Sequence, residues 1–417
     1  MRTLRGVSEP ISVAEARDAV LARVEAPLEA EPVPLERALG RVLAAEAVAR
    51  EDVPGFDNSA MDGFAVRAAD TDGAGPGSPV TLRVAEESRA GAPAERAVRA
   101  GEGFRISTGG VLPDGADAVI RVEEVAERDD EITFEVDADP GRDIRRAGED
   151  IRAGETILQA GAVLGAAELG VLASLGVPAP SCARRPRLAL VCTGDELLGP
   201  EEPMRPGGVR NSNAHTVPAL ARGAGAEVIA NERCPDDPGA TRDALERALE
   251  ADVAVVCGGV SVGPHDHVKD AFTELGVKEA FWGVALRPGR PTWFGVHGEG
   301  PGTGGALAFG LPGNPVSAFV TFVLFVRPAI RALAGADPGT DTATATLASE
   351  VARLPKRDQA VRCGLELTDD GWVATPTGPQ ASHILTSMLG ADALAVVEAG
   401  PEPAPAGERV RVQLLRA

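Results

Sequence analysis

The chain has 417 residues, with 62 acidic side chains against 41 Lys and Arg and a formal net charge of -21 at pH 7. Its length exceeds the size at which one hydrophobic core stops growing, which predicts roughly two to four domains. Its charge argues against nucleic acid or an anionic membrane surface as partner, so any anionic ligand must be met by local positive potential from arginines, helix N-termini or bound cations.

Ser12 followed by Glu15 forms a capping box ahead of VAEARDAVLARV, which predicts a helix. PLERALGRVLAAEAVA, residues 34–49, repeats the helical pattern until Pro54 and Gly55 break it. From Pro79 to Val136 the runs VTLRVA, GFRIS, ADAVIRV and EITFEV alternate between turn signals, which predicts a small β domain. A hairpin-like entry and a helix follow, ending at Pro178. Residues 187–331 alternate apolar runs (RLALVCTG, AEVIANERC, ADVAVVCGG, ALAFGLPG) with helical patterns, which predicts a parallel sheet covered on both faces. In such sheets ligands collect at the C-terminal strand ends, where TGDE, CPDDP, GGVSVG and LPGNP all fall. The apolar stretch AFVTFVLFV, 318–326, falls short of the roughly 18 residues that span a bilayer and is expected to be a buried helix. VRCGLELT, GWVATPT and ERVRVQLL predict a closing β domain from about residue 340. Five widely separated cysteines without a CxxC pair, and an N-terminal region without a signal-peptide segment, fit a reducing, cytoplasmic setting.

Several stretches carry chemistry, each with an ordinary alternative. CGGVSVGPHDHVKD, 257–270, lets backbone N–H groups between Gly258 and Gly263 converge on an anion, or is a tight strand-to-helix turn. His265 and His267 read as exposed histidines rather than metal ligands. Asp266 beside such a loop suits a hard cation, with Asp195, Glu196, Asp236 and Asp237 available to the same ion; N-capping is the alternative for each. RPGRP, 287–291, sets two arginines around a rigid turn as an oxyanion clamp or a surface turn. In GLPGNPVS, Asn314 is expected as N-cap and Pro315 as first helical residue. PGFDNSAMDGFAV, 54–66, is more polar than a connection needs. GRDIRRAGEDI, 141–151, reads as a solvated charge run.

PGFDNSAMDGFAV, ISTGGVLPDGADAV, IRRAGEDI, CTGDEL, the DDP step, GGVSVGPHD, RPGRP, GLPGNPVS and ASHILTS stand in the order and spacing of the molybdopterin molybdenumtransferase family, MoeA and the C-terminal domain of gephyrin, which the chain resembles from Ser12 to its last β domain. The resemblance implies a multi-domain α/β plus β fold: a central three-layer α/β domain similar to molybdopterin adenylyltransferases (8–23 plus 182–335), a linking α+β domain (24–47 plus 152–181), a β-rich domain (48–151) and a C-terminal β-barrel-like domain (340–417). It implies a homodimer whose β-rich domain completes the partner's active site, and molybdenum insertion from molybdate into adenylylated molybdopterin with Mg²⁺-dependent release of AMP. A molybdopterin adenylyltransferase is the implied substrate donor. Asp266, Glu196 and Asp237 are implied to hold the metal or position water, with Asp62, Thr108 and Asp150 contributed by the partner. Thr193, Gly194, Gly258, Gly259, Ser261 and Gly263 would cradle phosphates. Arg287, Pro288, Arg290, Pro312, Asn314, Pro315, Ser317, Arg362 and Ser382 would bind molybdate or the pterin's terminal phosphate. The chain departs from the family pattern at Gly283, where a lysine is usual, at Arg287 and Arg290, which replace lysines, at Phe64, which replaces tyrosine, and at Ala381, which replaces glycine. Those changes leave molybdate against tungstate open. An adenylyltransferase on the same pterin and a catalytically quiet scaffold are the competing readings; GGVSVG in place of GGTG and the intact carboxylates oppose them.

Overall fold

The computed structural model describes residues 9–260 and 266–415. The chain divides into two compact units, one running through residue 45, adding 160–165 and resuming at 181, the other formed by 46–159 and 166–180.

The first unit is built on a six-stranded sheet in the order Glu227–Cys234, Arg187–Thr193, Val253–Cys257, Ala306–Leu311, Trp293–His297, Lys278–Trp282. The first four strands are mutually parallel, as their helical crossovers require. These are the four apolar runs from which a parallel sheet was expected; the last two strands, each antiparallel to its neighbour, extend one edge and were not picked out in the sequence. Lys278–Trp282 is mostly exposed and Trp293–His297 only partly buried, so neither presents the continuous apolar run of a central strand. Glu227–Cys234 is also an edge strand, exposed on alternate residues rather than buried throughout.

Side-chain alternation sorts the central strands into two cores. Leu188, Leu190, Val253, Val255 and Phe309 pack on one face with Val217, Val320 and Phe325 of the helices Asn213–Gly223 and Pro315–Leu333. Ala189, Val191, Ala254 and Val256 pack on the other with Leu245, Phe272 and Trp293. A three-layer domain results, and the expected buried helix lies in the core on one face of the sheet: Pro315–Leu333 is apolar enough by composition to cross a membrane, yet most of it is buried in the protein. Pro328 has no N–H for the carbonyl four residues back and crowds it. The π-helical turn Phe322–Val326 widens the helix just before that point and relieves the conflict.

Residues 34–49 do not form the predicted helix. A 3-10 turn at Leu35–Arg37 ends at Gly40, φ +70°, and the chain then bonds outward, Leu43 N–H to Ala162 O at 2.9 Å and Ala44 N–H to Ser181 O at 3.0 Å. Tertiary pairing overrides local periodicity here.

The C-terminal strands Asp358–Thr368, Gly371–Pro376, Thr342–Leu347, Arg409–Leu414 and Ala393–Val397 pair in that order and close when the last returns to the first, forming a five-stranded barrel. The second unit holds a six-stranded sheet containing all four predicted β runs, with Gly63–Val66 between Ala118–Arg121 and Glu102–Ile106. Its core is Phe64, Leu82, Ile120, Ile132 and Phe134.

Asp252 ties the N-terminal edge of the central sheet together. Its carboxylate accepts two bonds from the Arg184 guanidinium, at 2.8 and 3.0 Å, and the Arg187 N–H at 2.7 Å, with its side chain 10% exposed. Arg184 also pairs with exposed Glu29. Asp252→Ala is expected to cost about 1–3 kcal/mol, by removing a carboxylate that accepts three bonds and leaving the Arg187 N–H and the half-buried Arg184 short of a partner, and Glu29→Ala less than about 1 kcal/mol; urea unfolding midpoints that fall equally for both would contradict this ranking.

Candidate active site

The parallel strands end side by side at Thr193, Cys234, Cys257 and Leu311. This edge gathers four of the sequence motifs. Because Trp293–His297 runs antiparallel, with Trp293 opposite Gly310, its beginning reaches the same edge and brings Pro291 of RPGRP with it. A cleft of about 570 Å³ opens there. Thr193, Gly194 and Glu196 line it from the first turn, Gly258, Gly259 and Asp266 from the third, and Pro312, Asn314 and Pro315 from the fourth.

The turn after Val253–Cys257 requires glycine. Gly258 has φ +99° and Gly259 φ +65°, and a Cβ on Gly258 would stand 2.8 Å from the Thr193 carbonyl oxygen. Only a backbone without side chains approaches so closely. Trp282 Nε1–H holds the following Val260 carbonyl at 3.0 Å. Ser261 and Gly263 lie outside the described residues.

Two buried polar atoms beside the cleft have no partner among the described residues, Thr193 Oγ1 and Asn213 Oδ1. Both residues are more than nine-tenths buried. An unsatisfied buried polar group costs about 1–3 kcal/mol unless something completes it. Asn213 Nδ2 is already committed to the Gly313 carbonyl at 2.8 Å, which fixes the free oxygen as an acceptor. Asn211, Ser212 and Asn213 all line the cleft and were missed in the sequence, where RNSNAH resembles ordinary N-cap composition. Cys192 and Cys257 also line it, on neighbouring strands. The Cys257 thiol and the Asn211 amide hydrogen-bond the Cys192 sulfur and hold it below the usual thiol range, whereas bonding to Cys192 and burial push Cys257 well up.

Other expected residues occupy different roles. Asp237 caps the helix Pro238–Ala248, accepting the Ala240 N–H at 2.8 Å, while its neighbour Asp236 lines the cleft. Arg362 is fully buried: it bonds Ser387 Oγ and the carbonyls of Pro379, Gln380 and Ala381, so its guanidinium shapes the loop before Ser382 instead of facing a ligand. Asn314 sits at the N-cap position, but its Nδ2 donates to Ser382 Oγ at 3.3 Å and joins the barrel loop to the helix start. Ser317 is buried in the first turn of that helix. Arg287 and Arg290 are exposed, Pro288 between them is buried, and neither arginine has an ion-pair partner among the described residues. The cleft itself is lined by none of Asp237, Arg287, Pro288, Arg290, Ser317, Arg362 or Ser382.

Within the second unit, three motifs converge. Asp62 Oδ1 accepts the Thr108 N–H at 2.7 Å and its hydroxyl at 3.1 Å. Asp57 accepts the Arg146 guanidinium at 2.6 Å and the Ala147 N–H at 2.8 Å, and the Asp150 N–H donates to Val53 O at 3.1 Å. Gly63 is required by close approach, since a Cβ there would stand 2.0 Å from the Ile120 carbonyl oxygen. Asp62, Thr108 and Asp150 are exposed on this unit.

Glu196, Asp236 and Asp266 give the cleft hard oxygen donors. No group of three or more metal-ligating side chains is assembled among the described residues. That set fits Mg²⁺, which takes one or two carboxylates and completes its shell from water and substrate phosphates, better than zinc, which needs a closed set of protein ligands.

Three family models match the chain: the MoeA N-terminal region (domain I and II) over residues 11–176, a probable molybdopterin binding domain over 189–332, and the MoeA C-terminal region (domain IV) over 344–415. Molybdopterin molybdenumtransferase 2 of Mycobacterium tuberculosis is 37% identical over 387 residues, 91% of this chain and 94% of its own. The molybdopterin molybdenumtransferase of Haemophilus influenzae is 34% identical over 412 residues, 97% and 98% of the two chains. A crystal structure of a molybdopterin biosynthesis MoeA protein from Pyrococcus horikoshii superposes with a TM-score of 0.81 at 31% identity, covering 98% of this chain and 100% of the other.

The Thr108 N–H, and then its hydroxyl, hold the Asp62 carboxyl below the ordinary aspartate range. A depressed pKa means that the stability this contact adds is present above the unfolded value, about 3.9, and is lost as pH falls through the folded one. Thr108→Val, which keeps only the N–H, is expected to move the Asp62 carboxyl ¹³C titration midpoint upward; an unchanged midpoint would remove the hydroxyl from this role.

Proposed function

Because the chain belongs to the molybdopterin molybdenumtransferase family, whose members are transferases of molybdenum cofactor biosynthesis, we propose that it inserts molybdenum from molybdate into adenylylated molybdopterin, with Mg²⁺-dependent cleavage of the pyrophosphate bond and release of AMP. The observation that carries this reading is the convergence, at one sheet edge, of a glycine turn lining the cleft, two buried polar atoms without partners among the described residues and three carboxylates.

The Gly258–Gly259 turn packs directly against Thr193 at the cleft, and Thr193 Oγ1, without a partner among the described residues, would donate to a phosphate there. Asn213 Oδ1 is an acceptor suited to a pterin N–H. One or two of Glu196, Asp236 and Asp266 would hold Mg²⁺, which would neutralise phosphate charge. Arg287 and Arg290 present guanidinium groups of a geometry that suits a tetrahedral oxyanion, and Ser382, held by Asn314, is a further hydroxyl donor. Arg362 positions the Ser382 loop. The proposal extends to a cytoplasmic homodimer in which Asp62, Thr108 and Asp150 serve a partner subunit, supplied with substrate by a molybdopterin adenylyltransferase.

Incubation with adenylylated molybdopterin, Mg²⁺ and molybdate tests the reading: AMP and metallated product are expected together, and failure to form either overturns it. Asp266→Ala is expected to lower AMP release by about 10²–10³-fold, the usual cost of removing one preorganised electrostatic partner. Circular dichroism of the variant should stay unchanged. Arg287→Ala is expected to raise the molybdate concentration required by roughly ten- to a hundredfold, the worth of one charge-assisted hydrogen bond, while pterin binding changes little; an equal loss of both ligands would refute that division.

A further inference from the structure

Cys192 and Cys257 stand directly opposite each other on adjacent parallel strands, and both face the helix layer that carries Val217 and Val316. Each is at most 2% exposed, yet both belong to the cleft wall. Because the two residues are in register, their side chains are neighbours on that face. Asn211 Oδ1 accepts the Ala214 N–H at 3.1 Å, which leaves its NH₂ group for the Cys192 sulfur. Cys192 is held below the usual thiol range, which favours a thiolate there, while Cys257 is pushed up and keeps its proton until a metal displaces it. The remaining cysteines are placed elsewhere: Cys234 under the opposite face of the sheet, Cys363 in the barrel core and Cys182 on the short strand Ser181–Ala183. None of these three lines the cleft.

Two adjacent sulfurs at the wall of an open cleft are the donor set of a soft cation, as distinct from the hard carboxylate oxygens of Glu196, Asp236 and Asp266. We propose that Cys192 and Cys257 together bind one thiophilic monovalent d¹⁰ cation, of the Cu(I) or Ag(I) class, in two-coordinate sulfur ligation at the wall of the cleft. On binding, each thiol gives its proton to solvent, two sulfur–metal bonds form and no electron is transferred. The site then gains one net negative charge, which the Asn211 amide faces. One cleft thus sorts two cations by donor softness, the carboxylates taking the hard one and the thiol pair the soft one.

The test uses the reduced full-length chain without substrate under anaerobic conditions, so its outcome is separable from that of the molybdenum-insertion assay. Titration against a chromogenic Cu(I) chelator is expected to withdraw one equivalent of Cu(I) per chain. Cys192→Ser and Cys257→Ser should each abolish that withdrawal, and Cys234→Ser should preserve it. X-ray absorption of the one-equivalent complex of the unsubstituted chain, which depends on no variant folding, is expected to show two sulfur neighbours and no oxygen or nitrogen. Failure of the unsubstituted chain to withdraw Cu(I), equal withdrawal by either serine variant at the pair, or oxygen or nitrogen neighbours would overturn the assignment.

Discussion

Electrostatics sets the terms for the rest of the molecule. A chain with a net charge of -21 that takes an anionic ligand among carboxylates must supply compensating charge within the site itself. Three sources would serve the proposed ligand: the glycine turn beside Thr193, the Arg287 and Arg290 guanidinium groups, which have no ion-pair partner among the described residues, and a hard cation that the cleft carboxylates would hold. None works at long range. In a net-negative field each has to be positioned within a few ångströms of the ligand, which places the burden on the fold.

The fold meets it through direction. Four parallel strands end at one edge, so turns more than a hundred residues apart in sequence, at Thr193 and Leu311, line one cleft. The antiparallel strand beginning at Trp293 adds Pro291 to the same edge by running the other way. Asp252 and Arg184 clamp the opposite edge, away from the chemistry. The Pro315–Leu333 helix, with its π turn before Pro328, fills one core and starts at Asn314 on the cleft, so the same element supports the sheet and presents a site residue.

The sequence was most legible where local chemistry and tertiary context agree. The Ser12–Glu15 capping box forms as expected, and the four motifs at strand ends could be placed because an apolar run bounded by glycine or proline has few other uses. Legibility failed where long-range contacts decide. The helical pattern of 34–49 yields to backbone pairing with 162 and 181, and barrel closure between Asp358–Thr368 and Ala393–Val397 leaves no local trace. In the site, a charged residue type did not reveal its partner. Asp237 and Asp236 are indistinguishable in sequence, yet one caps a helix and the other lines the cleft. Arg362 looked like an oxyanion ligand and is consumed by backbone carbonyls. Asn213 drew no notice because its unsatisfied oxygen exists only once Gly313 has taken its amide.

If an anionic nucleotide is tolerated here only because positive charge is interleaved with carboxylates, then ligand affinity itself, before any turnover, must depend on a divalent cation. Calorimetric titration of adenylylated molybdopterin into the chain, with molybdate omitted, compares Mg²⁺ with a chelator. Tight binding in Mg²⁺ that collapses in the chelator is the expected result, and equal affinity in both would contradict the arrangement at its root.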